Sequence, residues 1–247
     1  MAGRITWLGH ATVLVEMDGV RVLTDPLLRD RVAHLRRHAP VPAVPADLDA
    51  VLLSHLHRDH ADRPSLRLLS PATPVLAPAA AARNVRRLGV REVVGMRAGE
   101  RVPVGTATVL AVPAEHDGRR SPLHPQAPAL GFVVEQDGRR VYFAGDTDRF
   151  DAMSELGPLD AALVPIWGWG PSLGPGHLDP EGAAEVVALI GPRLVVPIHW
   201  ATYLPFHYGA GHALLREPGE RFTAAMRTRA PDVRVALLSP GESVEVG

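Results

Sequence analysis

Ser54-His55-Leu56-His57-Arg58-Asp59-His60 is the stretch on which the fold of this chain turns. Three imidazoles and a carboxylate stand between positions 55 and 60. The preceding run, Ala50-Val51-Leu52-Leu53, is apolar and reads as a buried strand. Ala61-Asp62-Arg63-Pro64 follows as a turn into a short helix expected over 64–69. The cluster therefore falls in a loop at the end of a core strand, where α/β proteins carry their chemistry. His55 and His57 alternate as two residues on one face of an extended segment do, while Asp59 and His60 stand where the chain must turn. Neutral imidazole and carboxylate are ligands of borderline metals such as zinc, so this one loop can serve two adjacent metal centres. A histidine-rich exposed loop that binds nothing is the bland alternative, and the spacing after a buried strand disfavours it.

Outward from this loop the chain alternates short apolar runs with turn signals. Strands are expected over 4–8, 11–17 and 20–24, with Asp18-Gly19 as a hairpin turn. Further strands are expected over 49–53, 75–77, 91–94, 101–104, 106–112, 130–136, 139–144, 161–166, 194–198 and 233–238. Helices are expected over 79–88 with Gly89 as the stop, over 149–156, over 181–190 behind the cap Asp179, and within 216–230. Residues 27–46 and 117–128 show no periodicity and read as long loops, as does the Gly/Pro/Trp segment 167–176. No fixed repeat and no linker interrupts the 247 residues, so one domain over 1–247 is the economical reading.

Composition sets bounds. A formal net charge of -1 gives no global pull toward nucleic acid or anionic lipid. The absence of cysteine removes disulfides and thiolate metal sites, leaving His, Asp and Glu as ligands. No leader-like apolar core and no bilayer-length run is present, so the expectation is a soluble cytoplasmic protein with no membrane insertion. Oligomeric state is not legible.

Four places share one grammar, an apolar strand followed by a ligand-type residue: the loop just quoted, His116, Asp146 and His199. Two catalytic metals want about three protein ligands each and a shared water. The natural allocation is His55, His57 and His116 on one metal, Asp59, His60 and His199 on the other, and Asp146 as a bridge.

These motifs carry a resemblance. His-Leu-His-Arg-Asp-His, a later His116, Gly145-Asp146-Thr147 and Pro197-Ile198-His199-Trp200 resemble the metallo-β-lactamase fold superfamily, over nearly the whole chain. The resemblance implies an α/β protein, a four-layer αββα sandwich of mixed sheets with a dimetal site at one edge, and it implies the same ligand allocation. Leu23-Thr24-Asp25-Pro26, Pro113-Ala114-Glu115-His116 and His177-Leu178-Asp179-Pro180-Glu181 are similar to the branch that holds N-acyl-phosphatidylethanolamine-hydrolysing phospholipase D and ascorbate-6-phosphate lactonase-like proteins. The chain departs from that phospholipase by showing no apolar docking helix and by following His116 with Asp117-Gly118.

The expected cofactors are two divalent metal ions, zinc first, with manganese or iron also compatible. The expected chemistry is hydrolysis of a phosphodiester or of a lactone or ester, by a water shared between the metals that loses its proton and attacks. Asp59 and Asp146 are expected to hold that water and take its proton. His177 is the candidate donor to the leaving group, against the alternative that it bonds a carboxylate or the helix start. His10 is expected to brace the site rather than ligate. His34, His38, His124, His207 and His212 read as solvated or structural. Arg31, Arg36, Arg37 and Arg119 are candidates to meet an anionic substrate, each against a solvated alternative. The expected partner is a small molecule, an anionic one included, and no nucleic acid. A nuclease of the same fold is the second reading, disfavoured by the lack of a basic surface. A diiron flavoprotein and a non-catalytic metal scaffold follow.

Overall fold

The computed structural model describes residues 3–118 and 128–247. Its strands are β1 (Gly3–Gly9), β2 (Thr12–Met17), β3 (Val20–Thr24), β4 (Arg31–Val32), β5 (Leu35–Arg37), β6 (Ala50–Leu52), β7 (Val75–Pro78), β8 (Val93–Met96) and β9 (Arg101–Val104). They continue as β10 (Ala107–Asp117), β11 (Pro128–Gln136), β12 (Arg139–Phe143), β13 (Ala161–Pro165), β14 (Leu194–Ile198), β15 (Tyr203–Pro205), β16 (Arg234–Val235) and β17 (Ser243–Val246). The helices are α1 (Arg63–Leu66), α2 (Ala82–Arg87), α3 (Pro180–Ile190) and α4 (Glu217–Arg229).

Two seven-stranded sheets run β17-β1-β2-β3-β6-β7-β8 and β16-β14-β13-β12-β11-β10-β9. In the first, β17, β1, β2 and β3 are antiparallel, then β3, β6, β7 and β8 are parallel. The second repeats that plan: β9 to β12 are antiparallel, and β12, β13, β14 and β16 are parallel. The carboxyl ends of parallel strands share an edge, which is where open α/β sheets hold their ligands. Thr24-Asp25, Leu52 to His60, Ala144 to Asp146, Ile166-Trp167 and His199 all leave the sheets there.

The apolar runs follow from burial on both faces. Ala50 and Leu52 of β6 face the core between the sheets, while Val51 and Leu53 face a second cluster with Leu66 and Val85 under α1 and α2. A strand covered on both sides has no polar face, so it reads as a continuous apolar run. Phe132, Tyr142 and Val196 of the second sheet meet Trp7, Val13 and Val22 of the first in one cluster, which also takes in Val187 of α3 and Phe222 of α4. Helices therefore cover both outer faces, the αββα sandwich of mixed sheets expected above. Among the described residues no helix is long and apolar enough to cross a membrane.

Four expectations need correction. Residues 27–46 are not structureless: β4 and β5 join β15 in a three-stranded sheet. β4 and β5 pair locally, Val32 opposite Leu35, and β5 also pairs with β15 far along the chain; strands of two and three residues are too short to show a periodicity. Residues 149–156 form only a 3-10 helix over Asp151–Leu156, because Phe150 supplies no side-chain cap and Gly157 turns away at φ 73°. The strand expected over 233–238 shrinks to Arg234–Val235, and β17 is an additional edge strand. Its alternation of exposed Ser243 and Glu245 with buried Val244 and Val246 was present in the sequence.

Candidate metal centre

Seven of the side chains picked out in the sequence converge at this edge. His55 Nε2 lies 3.0 Å from His57 Nδ1, which lies 3.1 Å from His116 Nε2. On the other side His60 Nε2 lies 3.1 Å from His199 Nε2, with Asp59 Oδ2 3.8 Å from the first and 4.0 Å from the second. Asp146 sits between the two sets. Its Oδ2 is 3.8 Å from His55 Nε2 and 3.1 Å from His60 Nε2, and its Oδ1 is 3.3 Å from His199 Nε2. Three groups of close ligand atoms result among the described residues: His55, His57, His116 and Asp146; His10, Asp59, His60 and His199; and Asp25, His55 and His60.

The hydrogen bonds behind these rings decide which nitrogen each presents. His116 Nδ1 donates to Gly176 O at 2.8 Å, and His199 Nδ1 donates to Trp167 O at 2.8 Å. His60 Nδ1 donates to Asp25 Oδ2 at 2.7 Å. Ser54 Oγ spends its proton on Asp25 Oδ2 at 2.5 Å, and so accepts from His55 Nδ1 at 2.9 Å. One buried carboxylate, Asp25, thereby orients a histidine in each set, His60 directly and His55 through Ser54. The two ends of the 167–176 loop do the same with backbone carbonyls. Four rings present a bare Nε2 to the centre, as metal-binding histidines with their other nitrogen engaged do.

The residues fit a pair of metal ions. His57 Nδ1 stands 3.0 Å from His55 Nε2 and 3.1 Å from His116 Nε2, with at most one proton among three neutral rings, a crowding of lone pairs that a cation would relieve. A tetrahedral metal with bonds of about 2.0–2.1 Å would space its ligands at about 3.3 Å. Asp146 Oδ1 is buried and makes no hydrogen bond among the described residues, an orphan acceptor that a cation would satisfy.

Electrostatics agree with neutral imidazoles and ionised carboxylates. Burial lowers His55 well below the ordinary imidazole value, with the neighbouring His60 adding to it. Burial likewise takes His57 to about 4 and His199 to about 3, and lowers His116. Burial pushes Asp59 and Asp146 upward, but His60 and His10 outweigh it at Asp59 and His199 and His60 at Asp146, leaving both well below the usual carboxylate range. His60 differs: burial lowers it, yet Asp146, Asp59 and Asp25 together hold it well above the ordinary value.

Backbone strain marks the same place. His10, Asp25 and His199 adopt positive φ of 54°, 26° and 64°, costly for residues with a side chain and concentrated at working sites. Gly145 sits at φ +64°, where a Cβ would approach Ser54 Cβ to 2.6 Å. A glycine before Asp146 lets the two sheets close on each other there.

His10 Nε2 lies 3.2 Å from Asp59 Oδ2, its ring lies tilted with its centre 4.0 Å from that of His199, and it stands among the ligand-type groups of the second set. His177 Nε2 lies 3.6 Å from Asp146 Oδ2, while its Nδ1 faces Gly174 O and Pro175 O at 3.2 Å. Asp179 caps α3 by accepting from Gly182 N at 2.8 Å.

Arg37 is a correction. It is buried and bonds the carbonyls of Leu8, Leu27 and Pro40 and the Tyr203 hydroxyl, so it ties chain segments together and is closed to substrate. Arg31 pairs with Asp30 at the surface, and neither it nor Arg36 lines the cavity over the centre. Arg119 and His124 lie outside the described residues. Sequence reasoning missed Asp25, Ser54 and Arg58. Asp25 and Ser54 carried a signal, a polar residue at the end of a buried strand, as His199 and Asp146 did.

Two mixed sheets back to back, with paired His/Asp sets at the carboxyl edge, define the metallo-β-lactamase type of α/β protein. The model of the family described as "Beta-lactamase superfamily domain" matches residues 20–200, and the chain belongs to that superfamily. It is 33% identical over 251 residues to a UPF0173 metal-dependent hydrolase of Archaeoglobus fulgidus, covering 98% of each chain. It is 34% identical over 227 residues to N-acyl-phosphatidylethanolamine-hydrolyzing phospholipase D 1 of Caenorhabditis elegans, covering 80% of this chain and 64% of that protein. In fold it is similar to a metallo hydrolase from Ignicoccus hospitalis, with TM-score 0.72 and 23% identity over 99% of this chain and 98% of that one.

Proposed function

We propose that this protein hydrolyses a small-molecule phosphodiester, or an ester or lactone, at a dinuclear metal centre. At the coarser level it is a metal-dependent hydrolase of the β-lactamase superfamily, in keeping with its relatives. The observation that carries the finer reading is Asp146, whose Oδ2 stands between a histidine of one set and a histidine of the other. A carboxylate in that position has an oxygen for each of two cations. His55, His57 and His116 would hold one ion, Asp59, His60 and His199 the other, with zinc the first candidate and manganese or iron also suited to this donor set. When bound, the pair supplies positive charge that acidifies water near neutral pH and polarises the bond to be cleaved.

The chain's own residues do the rest. Asp59, partly exposed, and Asp146, buried, lie beside the centre with carboxyls held well below the usual range, so each is placed to accept a hydrogen bond from the attacking water and take its proton. His10 holds Asp59 in place through its 3.2 Å contact. His177 Nε2 lies 3.6 Å from Asp146 Oδ2 while its Nδ1 donates to a backbone carbonyl, so it can give a proton from Nε2 to the leaving group when the ring carries both protons. The cavity over the centre is about 380 Å³, in the range that suits a small ligand. That supports the small-molecule reading.

The test is turnover of a panel of phosphodiesters, esters and lactones by metal-analysed protein, with His57→Ala as the control. The reading expects at least one class to be cleaved by wild type and the variant to lose two or more orders of magnitude. Equal rates in both for every substrate would overturn it. His177→Ala should slow poor leaving groups most; equal slowing of activated esters would remove the donor role.

A further inference from the structure

The cavity has three surfaces of different character. Its floor is the centre itself, with His57, Asp59, Asp146 and His199. One wall is the 167–176 loop, where Trp169 and Leu173 offer apolar surface. The remaining charged side chain on the lining is Arg58, the residue between His57 and Asp59. Arg58 is exposed and makes no hydrogen bond or ion pair among the described residues. Its neighbours in the chain turn inward to the centre, whereas its own guanidinium is left at the rim. Trp169 is fixed rather than loose: it packs on the cluster of Leu27, Val32, Leu35 and Tyr203, and His34 meets it edge-on at 4.8 Å.

A cation with no partner among the described residues, beside an apolar wall, is a recognition pair. We propose that Arg58 and the Trp169–Leu173 wall select a substrate with a compact apolar body and an anionic group remote from the scissile bond. This inference rests on the hydrolase reading, and it names the substrate class that reading leaves open. The scissile carbonyl or phosphorus belongs over the floor, so the group that Arg58 meets is a second one, a carboxylate or phosphate at the far end of the molecule. Arginine suits either anion, because its planar fork donates two parallel hydrogen bonds.

The experiment compares two anilides that differ only in a terminal carboxylate, butyranilide and glutaric acid monoanilide. Calorimetric titration of metal-loaded wild type should give about tenfold tighter binding of the monoanilide, and Arg58→Ala should bring the two within about threefold. Arg58→Lys should keep part of the preference, which separates charge from packing. Matched 4-nitrophenyl esters, the butyrate and the monoglutarate, give a second readout. A remote anchor shows its loss in KM for the monoglutarate and spares kcat. Equal binding of both anilides by wild type, or a preference that survives Arg58→Ala because the carboxylate sits on the floor, would overturn the proposal. Protein that takes up no metal and cleaves neither ester would instead sink the hydrolase reading, while the anilide comparison can still be made on it.

Discussion

Asp25 is the residue whose removal best separates the account from a simple inventory of ligands. It touches no substrate, yet its two oxygens hold Ser54, and through it His55, and His60. Asp25→Asn should weaken metal retention by about 10–100-fold, the usual cost of losing the group behind a ligating histidine. Chelator competition on wild type and variant measures this, and equal retention would contradict it. Tyr142 makes the opposite kind of prediction. Its hydroxyl is buried without a hydrogen-bond partner among the described residues. Tyr142→Phe should therefore cost nothing and can gain about 1 kcal/mol in urea unfolding, since an unpaired buried polar group is removed. A loss of about 1 kcal/mol or more would show that the hydroxyl has a partner after all.

At the scale of elements the 167–176 loop has two duties. Its ends give carbonyls to His199 and His116, and its middle forms the cavity wall. Gly176 shows how tightly the first duty is built in: at φ +77° an added Cβ would stand 2.9 Å from His116 Nδ1. Gly174, two residues earlier, has nothing within 4 Å of the same position. Gly176→Ala should lower metal content after dialysis, and Gly174→Ala should leave it at the wild-type level. If both behave alike, the loop end is not what positions His116. The small sheet of β4, β5 and β15 is the other element with consequences. Arg37 within it satisfies the carbonyls of two distant loops without a carboxylate partner. Gly9 passes so close that a Cβ there would meet Arg37 Nη2 at 2.7 Å.

What the sequence made legible follows the range of the forces involved. The apolar runs of β6, β13 and β14 show burial on both faces, and the residue after each run marks the site edge, so the ligand set could be read from local pattern. Residues 27–46 could not be read, because β4 and β5 are only two and three residues long and β5 is held between β4 and the distant β15, as Leu204 opposite Arg36 shows. Arg37 looked like a surface cation because nothing local says that Leu8 O and the Tyr203 hydroxyl, far along the chain, will join the nearer Leu27 O and Pro40 O around it. Arg58 was hidden in plain view inside the decisive motif. Only the structure shows that its neighbours turn inward and it does not.

For the whole molecule, the centre fastens one sheet to the other. Asp25 and His55 to His60 come from the first sheet, His116, Asp146 and His199 from the second. Ions held between them would stabilise the sandwich by linkage, by about 2.7 kcal/mol at a free concentration 100 times Kd. For a chain of this size that corresponds to a rise in Tm of roughly 5–10 °C over the metal-free protein. Calorimetric scans before and after chelation measure it, and an unchanged Tm would mean that the ions do not join the sheets. The most direct measurement of the central claim is elemental analysis of wild-type protein, dialysed at neutral pH against limiting free zinc. The convergence of these seven side chains predicts about two ions per chain, falling to about one in His57→Ala. A folded, hydrolytically active protein that carries no ion would contradict it.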